Sequence, residues 1–250
     1  MSRRRFYAPS DDFAPDRRTV TLSADEARHL REVLRLKPGD EVYVFDGAGR
    51  EVACVVREVR REQTLVEVLR EVEPARAESP FKLTLGLALL KGDKFDLVVQ
   101  KATELGVSAI VPVATKLSDI KLRNDTEAEK RVIRWQRIAL EAAKQSGRAV
   151  MPSVFSPEPL DKFLQRDDER RLLFSERGGQ SLLALSREQP AQLSAATVLV
   201  GPEGGLSDAE VSAAQASGWL LITLGGRVLR AETAAIAVTA LLQHMYGDLR

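Results

Sequence analysis

Near the end of the chain, carboxylates and arginines gather around glycines. Glu203 lies inside Val198-Leu-Val-Gly-Pro-Glu-Gly-Gly-Leu206, while Arg227 and Arg230 lie inside Leu221-Ile-Thr-Leu-Gly-Gly-Arg-Val-Leu-Arg230, with Glu232 two residues further on. A carboxylate can accept a proton and a guanidinium can steady the anion left behind, so these residue types suit a proton transfer beside a bound ligand. Each stretch is a short apolar run halted by glycines and followed by a helical pattern, which reads as a strand end opening into a loop. Glycine there lets a ligand approach the main chain, and in an open α/β sheet ligands collect beyond the carboxyl ends of the strands.

The ligand class can be narrowed. Gly201-Pro-Glu-Gly-Gly205 lacks the following Lys-Ser or Lys-Thr of a triphosphate cradle, and its glycine spacing is not the dinucleotide fingerprint. Two ordinary tight turns would look similar, but apolar residues and glycines suit a weakly charged ligand such as an adenosine held by main-chain groups. His29 and His244 each stand alone, and neither reads as a catalytic base. The single Cys54 sits in an apolar, strand-like run, which excludes an intramolecular disulfide and a cysteine zinc site and fits a small core residue in a reducing cytosol. No metal is expected.

The elements that must position these residues fall into two sets. Residues 1–72 read as a small β-barrel with one helix. Ser23-x-x-Glu26 makes a capping box ahead of Ala27, Leu30, Val33 and Leu34, which recur at helical spacing. Asp46-Gly-Ala-Gly49 is a hairpin turn between two alternating strands, and Thr64 to Leu69 is a third. Residues 73–80, charged and proline-bearing, read as a linker. From residue 81 to 250, strands alternate with helices, which predicts a parallel sheet covered on both faces. Lys82 to Leu90, Ala109 to Val113, Leu172 to Phe174 and Thr197 to Val200 read as strands. Lys91-Gly-Asp93, Thr126-x-x-Glu129 and Ser207-x-x-Glu210 read as helix starts, and Glu232 to Tyr246 is an alanine-rich final helix.

Composition sets wider limits. With 250 residues, 44% hydrophobic and 29% charged, the chain is a folded protein of one large or two modest cores. Its 37 basic and 36 acidic residues nearly cancel, so any nucleic-acid surface must be a local basic patch. No apolar segment follows the basic start, and no run approaches the roughly 20 apolar residues of a membrane span, which predicts a cytoplasmic protein.

Val200 to Glu210, Leu224 to Ala234 and Lys94 to Val107 together resemble the ribosomal RNA small subunit methyltransferase E family of the SPOUT class. The front of the chain, Arg5-Phe-Tyr-Ala-Pro9 and His29 to Asp40, is similar to that family's PUA-like RNA-binding domain. The resemblance implies an α/β fold with a SPOUT-type parallel sheet and C-terminal trefoil knot, preceded by the PUA-like β-barrel. It implies a homodimer that uses S-adenosylmethionine to methylate N3 of one uridine in 16S rRNA of the small ribosomal subunit. A non-catalytic RNA-binding or assembly protein and a nucleotide hydrolase are the other readings. One departure is Thr115-Lys116, where many relatives have Glu-Arg; the charge survives but the bidentate fork does not.

The donor is then expected on Val200, Gly201, Glu203, Gly204, Gly205, Leu224, Gly225, Arg227, Val228, Leu229 and Arg230. RNA is expected on Arg3, Arg4, Arg5, His29, Arg31 and Arg35, with Lys91, Lys94 and Arg148 lining the route to the methyl group. Uracil N3 carries an imide proton, and its lone pair is unavailable until that proton leaves, so the reaction needs a base or strong stabilisation of the anion. Arg230 is expected to stabilise the anion and Glu232 to take the proton, with Glu203 as the rival base.

Overall fold

The computed structural model describes residues 3–121, 124–167, 170–188 and 193–249. The chain divides into two compact units, Met1–Glu78 with Ala143–Met151, and Ser79–Ala142 with Pro152–Arg250. Residues 143–151, inside the expected second domain, therefore belong to the front unit.

The front unit contains β1 (Arg5–Tyr7), β2 (Thr19–Leu22), α1 (Ala24–Arg28), β3 (Glu41–Phe45), β4 (Glu51–Val59) and β5 (Thr64–Val72). Its sheet runs β1-β3-β4-β5-β2. Alternation in β3 and β4 turns Val42, Val44, Val52, Cys54 and Val56 inward onto Phe6, Leu22, Leu30 and Val66. Burial pushes the Cys54 thiol up to about 12, so it stays protonated and inert. Asp46 Oδ1 accepts the N–H groups of Ala48 and Arg50, at 2.8 and 3.1 Å, and closes the expected hairpin.

The first helix departs from expectation. Ser23 caps it by accepting the Glu26 N–H, but after Arg28 the chain makes a single π turn, His29–Val33, and leaves through Arg35 at φ 54. An extra residue in the turn shifts the helical phase. Ala27 and Leu30 therefore face the core, whereas Val33 is 66% exposed and Leu34 also reaches solvent.

Arg5 joins the two sequence segments of this unit. Its guanidinium meets Glu51 at 3.0 Å and donates to the carbonyls of Ala143 (3.2 Å), Lys144 (3.1 Å) and Arg148 (2.8 Å). Those carbonyls lie at and just beyond a helix C-terminus, and that of Ala143 also accepts the N–H groups of Gly147 and Arg148. Arg148 in turn grips Glu78 at 2.7 Å, and Glu51 accepts the Ala75 N–H. The stretch expected as a linker has no regular secondary structure, yet these contacts pin it.

The second unit comprises β6 (Lys82–Ala88), α2 (Lys94–Glu104), β7 (Ala109–Ala114), α3 (Asp125–Ser146, whose last turn enters the front unit), β8 (Ser153–Val154), β9 (Glu158–Pro159), α4 (Leu160–Phe163), β10 (Arg171–Phe174), β11 (Gln180–Ser181), α5 (Leu182–Glu188), β12 (Ala195–Val200), α6 (Asp208–Ala216), β13 (Leu220–Thr223) and α7 (Ala231–Tyr246). The sheet runs β11-β13-β10-β12-β6-β7-β8, with β9 also on β7, and its described pairings are parallel. Both faces are covered, as the near-continuous apolar strands predict. Leu172, Phe174, Val198 and Val200 join α2, α3 and α7 in one core, while Leu173 and Leu199 meet Phe163, Ala214 and Trp219 on the other face. Gly86 in β6 makes room for Phe163, whose ring would stand 2.2 Å from any Cβ placed there.

Two helix starts differ from the sequence reading. Asp93 makes no capping bond and pairs with Arg134 instead, and α3 is capped by Asn124, which accepts the Glu127 N–H at 2.9 Å, ahead of the expected Thr126. The Ser207–Glu210 capping box forms as expected.

The Glu51 side chain is fully buried, and Arg5 is its most deeply buried cation. Arg5→Met leaves it with the half-buried Arg3 as its paired cation and lowers stability by roughly 3 kcal/mol. A urea unfolding curve unchanged from the native one would contradict this structural role.

Candidate active site

A cavity of about 510 Å³ opens in the second unit at the carboxyl ends of β10, β12 and β13. That volume suits a drug-sized ligand. Val200, Gly201, Glu203 and Gly205 line it from the β12 loop, and Leu224, Gly225, Arg227, Val228, Leu229 and Arg230 from the β13 loop. The two glycine loops singled out in the sequence therefore meet around one space. Gly204 is not on the wall; its Cα faces Leu117, within 3.4 Å of where a Cβ would stand.

A third loop, Ser175 to Arg177 after β10, completes the wall and was missed. Its sequence signal was present, since the strand Arg171–Phe174 ends at Ser-Glu-Arg-Gly-Gly, but the strand is only four residues long. What brings it in is the sheet order, because β10 lies between β13 and β12.

Ion pairs stiffen this rim. Lys94, at the start of α2, donates to Glu203 at 2.7 Å. Partial burial pushes the Glu203 carboxyl up, but the Lys94 ammonium together with the backbone N–H groups of Glu203 and Lys91 outweighs it and holds the group below the ordinary carboxylate range. Glu203 is thus an ionised tether between the β12 loop and the start of α2, and a weak base. Lys91 pairs with Asp119 at 2.8 Å. Glu210 accepts the N–H of Ser207 (2.8 Å) and of Lys116 (2.7 Å), fastening the Thr115-Lys116 loop to α6 through its main chain.

The expected catalytic pair is split. Arg230 stands at the N-cap of α7, exposed on the cavity wall, and its guanidinium has no hydrogen bond or ion pair among the described residues. Glu232 is 9% exposed and lies off the wall, one residue behind Ala231, and its Oε2 is buried without a hydrogen-bond partner. At the other end of α7, Gln243 donates to the Gly106 carbonyl just beyond α2, so the two helices run in the same direction and their N-termini share the cavity edge of the sheet.

Of the residues expected on RNA, Arg4 and Arg35 are exposed. Arg3 is half-buried against Glu51 and the Tyr43 ring, Arg31 donates to the carbonyls of Arg60 and Arg61, and His29 packs edge-on against Phe6. Arg5 and Arg148 are corrections. Both are buried in the front unit, and their guanidinium groups are engaged by Glu51, Glu78 and main-chain carbonyls, so neither offers a cation to solvent. Ser146 also turns back into its own helix end, where its hydroxyl meets the Ala143 carbonyl at 3.5 Å.

Residues 77–243 match the RNA methyltransferase domain family, and residues 22–69 match the RNA methyltransferase PUA domain family. The ribosomal RNA small subunit methyltransferase E of Bacillus subtilis is 31% identical over 238 residues, covering 93% of this chain and 92% of its own. The chain belongs to the ribosomal RNA small subunit methyltransferase E family. Among solved structures, the family member from Neisseria gonorrhoeae bound to S-adenosyl methionine superposes with a TM-score of 0.88 at 32% identity, covering 100% of both chains. A chain from Legionella pneumophila in complex with the bound cofactor SAM gives 0.90 at 32% identity, again over 100% of both. Membership confirms the family resemblance of the glycine loops and of the front of the chain.

A depressed folded-state carboxylate contributes stability above the ordinary carboxylate range and loses it as the pH falls through its own lower value. Lys94→Met removes the ammonium, so the Glu203 carboxyl should titrate at higher pH in that variant than in the native protein. Carboxyl NMR titration measures this directly, and identical titrations would show that Lys94 does not set the state of Glu203.

Proposed function

We propose that this protein transfers the methyl group of S-adenosylmethionine to N3 of a uridine in 16S rRNA of the small ribosomal subunit. The observation that carries the reading is the cavity formed by three strand-end loops, largely main chain and apolar, with the unpaired Arg230 on its wall. It has the size that an adenosine-bearing donor requires, and its glycine loops offer main-chain and apolar groups to a neutral base. The Neisseria gonorrhoeae and Legionella pneumophila structures named above hold that donor. When bound, S-adenosylmethionine supplies an electrophilic sulfonium methyl.

The chain's own residues must then free the N3 lone pair. Arg230 faces the acceptor and stabilises the negative charge that spreads onto the uracil carbonyl oxygens as the imide proton departs. Glu232 receives that proton. Its Oε2 is a buried acceptor lacking a donor, a costly state that a proton or an N–H would relieve. Because it stands behind the wall, the transfer passes through one bridging water. Glu203, held ionised by Lys94, keeps the β12 loop in place rather than serving as the base.

The front unit holds the RNA, with Arg4 and Arg35 among its exposed cations. We further infer a homodimer, for which Leu97 on α2 and Leu241 on α7, both 41% exposed, offer apolar surface. The final segment is read as a trefoil knot, consistent with β13 lying beyond β10 from β12. No described helix is long and apolar enough to cross a membrane, and a ribosomal substrate assigns the protein to the cytoplasm.

Methyl transfer to small-subunit RNA in vitro, read by mass spectrometry of the nucleosides, tests the chemistry. Glu232→Gln should retain donor and RNA affinity while turnover falls roughly 10²–10⁴-fold, with partial recovery at higher pH as hydroxide ionises the imide. Arg230→Lys should stay slow at every pH, because an ammonium lacks the planar fork. Normal turnover by Glu232→Gln would remove it from the mechanism.

RNA binding gives a separate test. Charge reversal at Arg4 and Arg35 should weaken RNA affinity, flatten its salt dependence by about 0.7 logarithmic units per lost single-strand contact, and leave donor affinity unchanged. Unaltered RNA affinity would move the RNA surface elsewhere.

A further inference from the structure

Three carboxylates line the cavity, and two of them are committed. Glu203 is held by Lys94 at 2.7 Å and Asp208 by Arg177 at 3.2 Å. Glu176, on the β10 loop, has only a long contact with Arg177 Nε at 3.5 Å and accepts no hydrogen bond among the described residues. It leans across the cavity edge toward the first glycine loop. Gly205, at φ 69, has no side chain, and a Cβ there would stand 3.1 Å from Glu176 Oε1. The glycine thus keeps open the space in which that carboxylate rests.

We infer that Glu176 is a specificity-determining residue whose carboxylate accepts hydrogen bonds from the 2′- and 3′-hydroxyls of the donor's ribose. The inference rests on the cavity being the donor site. Its chemistry follows from matching groups: two adjacent hydroxyls offer two O–H donors, and an ionised carboxylate offers two acceptor oxygens and no donor. Acidic side chains at strand ends hold ribose hydroxyls in other open α/β sheets for the same reason. The donor's amino-acid end goes elsewhere. Its carboxylate is drawn to Arg227 on the β13 loop, which has no ion pair among the described residues, and its ammonium travels with it. That leaves the sugar for the β10 loop, which emerges between the β13 and β12 loops.

Calorimetric titration of the native protein, Glu176→Gln and Glu176→Ala with three probes decides the matter. The probes are S-adenosylhomocysteine, its 2′-deoxyribose counterpart, and 5′-methylthioadenosine, which keeps the sugar but lacks the amino-acid end. The native protein should prefer the ribose form roughly 10- to 100-fold, the size of a hydrogen bond to a charged group. Both variants should bind S-adenosylhomocysteine and 5′-methylthioadenosine more weakly by similar factors, and Glu176→Ala should lose the preference for ribose. Persistence of that preference in Glu176→Ala overturns the inference. So does a loss confined to S-adenosylhomocysteine, which would put the carboxylate on the ammonium. Failure of the native protein to bind any probe overturns the donor-site reading itself, and the inference with it. The near-isosteric glutamine variant, checked by circular dichroism, separates lost recognition from lost fold.

Discussion

The hydrogen-bonded ladder that seats β12 between β10 and β6 is the constraint on which the rest of the second unit depends. Val200 pairs with Phe174 on one side and Leu87 on the other, so three parallel strands end at one level. Apolar side chains cover both faces, and a slip of one residue would exchange Val198 and Val200 with Leu199 between two differently shaped cores. Gly86 narrows the choice further, since only this alignment offers Phe163 a gap in the sheet. The loops after β10, β12 and β13 consequently open on one edge, and the cavity exists because the register does.

Charge around that edge is distributed unevenly, and the unevenness separates support from chemistry. Lys94 with Glu203, Lys91 with Asp119, and Glu210 with the Ser207 and Lys116 N–H groups join the β12 loop, the rim of α2 and the segment after β7. Groups already satisfied in this way hold shape. Arg230 and Glu176 are left with unused hydrogen-bonding capacity on the wall, and Glu232 is left with an oxygen that burial makes costly. Buried polar atoms without partners are uncommon in folded proteins, and such exceptions call for an explanation in terms of function or strain.

Much of this was legible in the residues. The two glycine loops, the alternating barrel strands, the buried Cys54 and the Ser207 capping box all follow from local pattern, and the structure keeps each of them. The π turn at His29–Val33 was not legible, because an inserted helical residue leaves the apolar spacing looking ordinary. Arg5 and Arg148 misled for a different reason. An arginine in a basic sequence looks like surface, and only the return of residues 143–151 to the front unit brings carbonyls onto Arg5 and sets Arg148 against Glu78. The β10 loop was hidden because its neighbours across the sheet lie far away in sequence. Glu203 and Glu232 could not be ranked from spacing, since the Lys94 contact that commits Glu203 spans 109 positions.

The central claim, that this chain methylates one small-subunit rRNA uridine at N3, is tested most directly in cells. Nucleoside and fragment mass spectrometry of small-subunit rRNA should show one N3-methyluridine missing when the protein is deleted, restored by the native gene and not by one encoding a valine at Gly201, whose Cβ would crowd Leu206 at 3.3 Å. An rRNA methylation pattern identical with and without the protein would contradict the account.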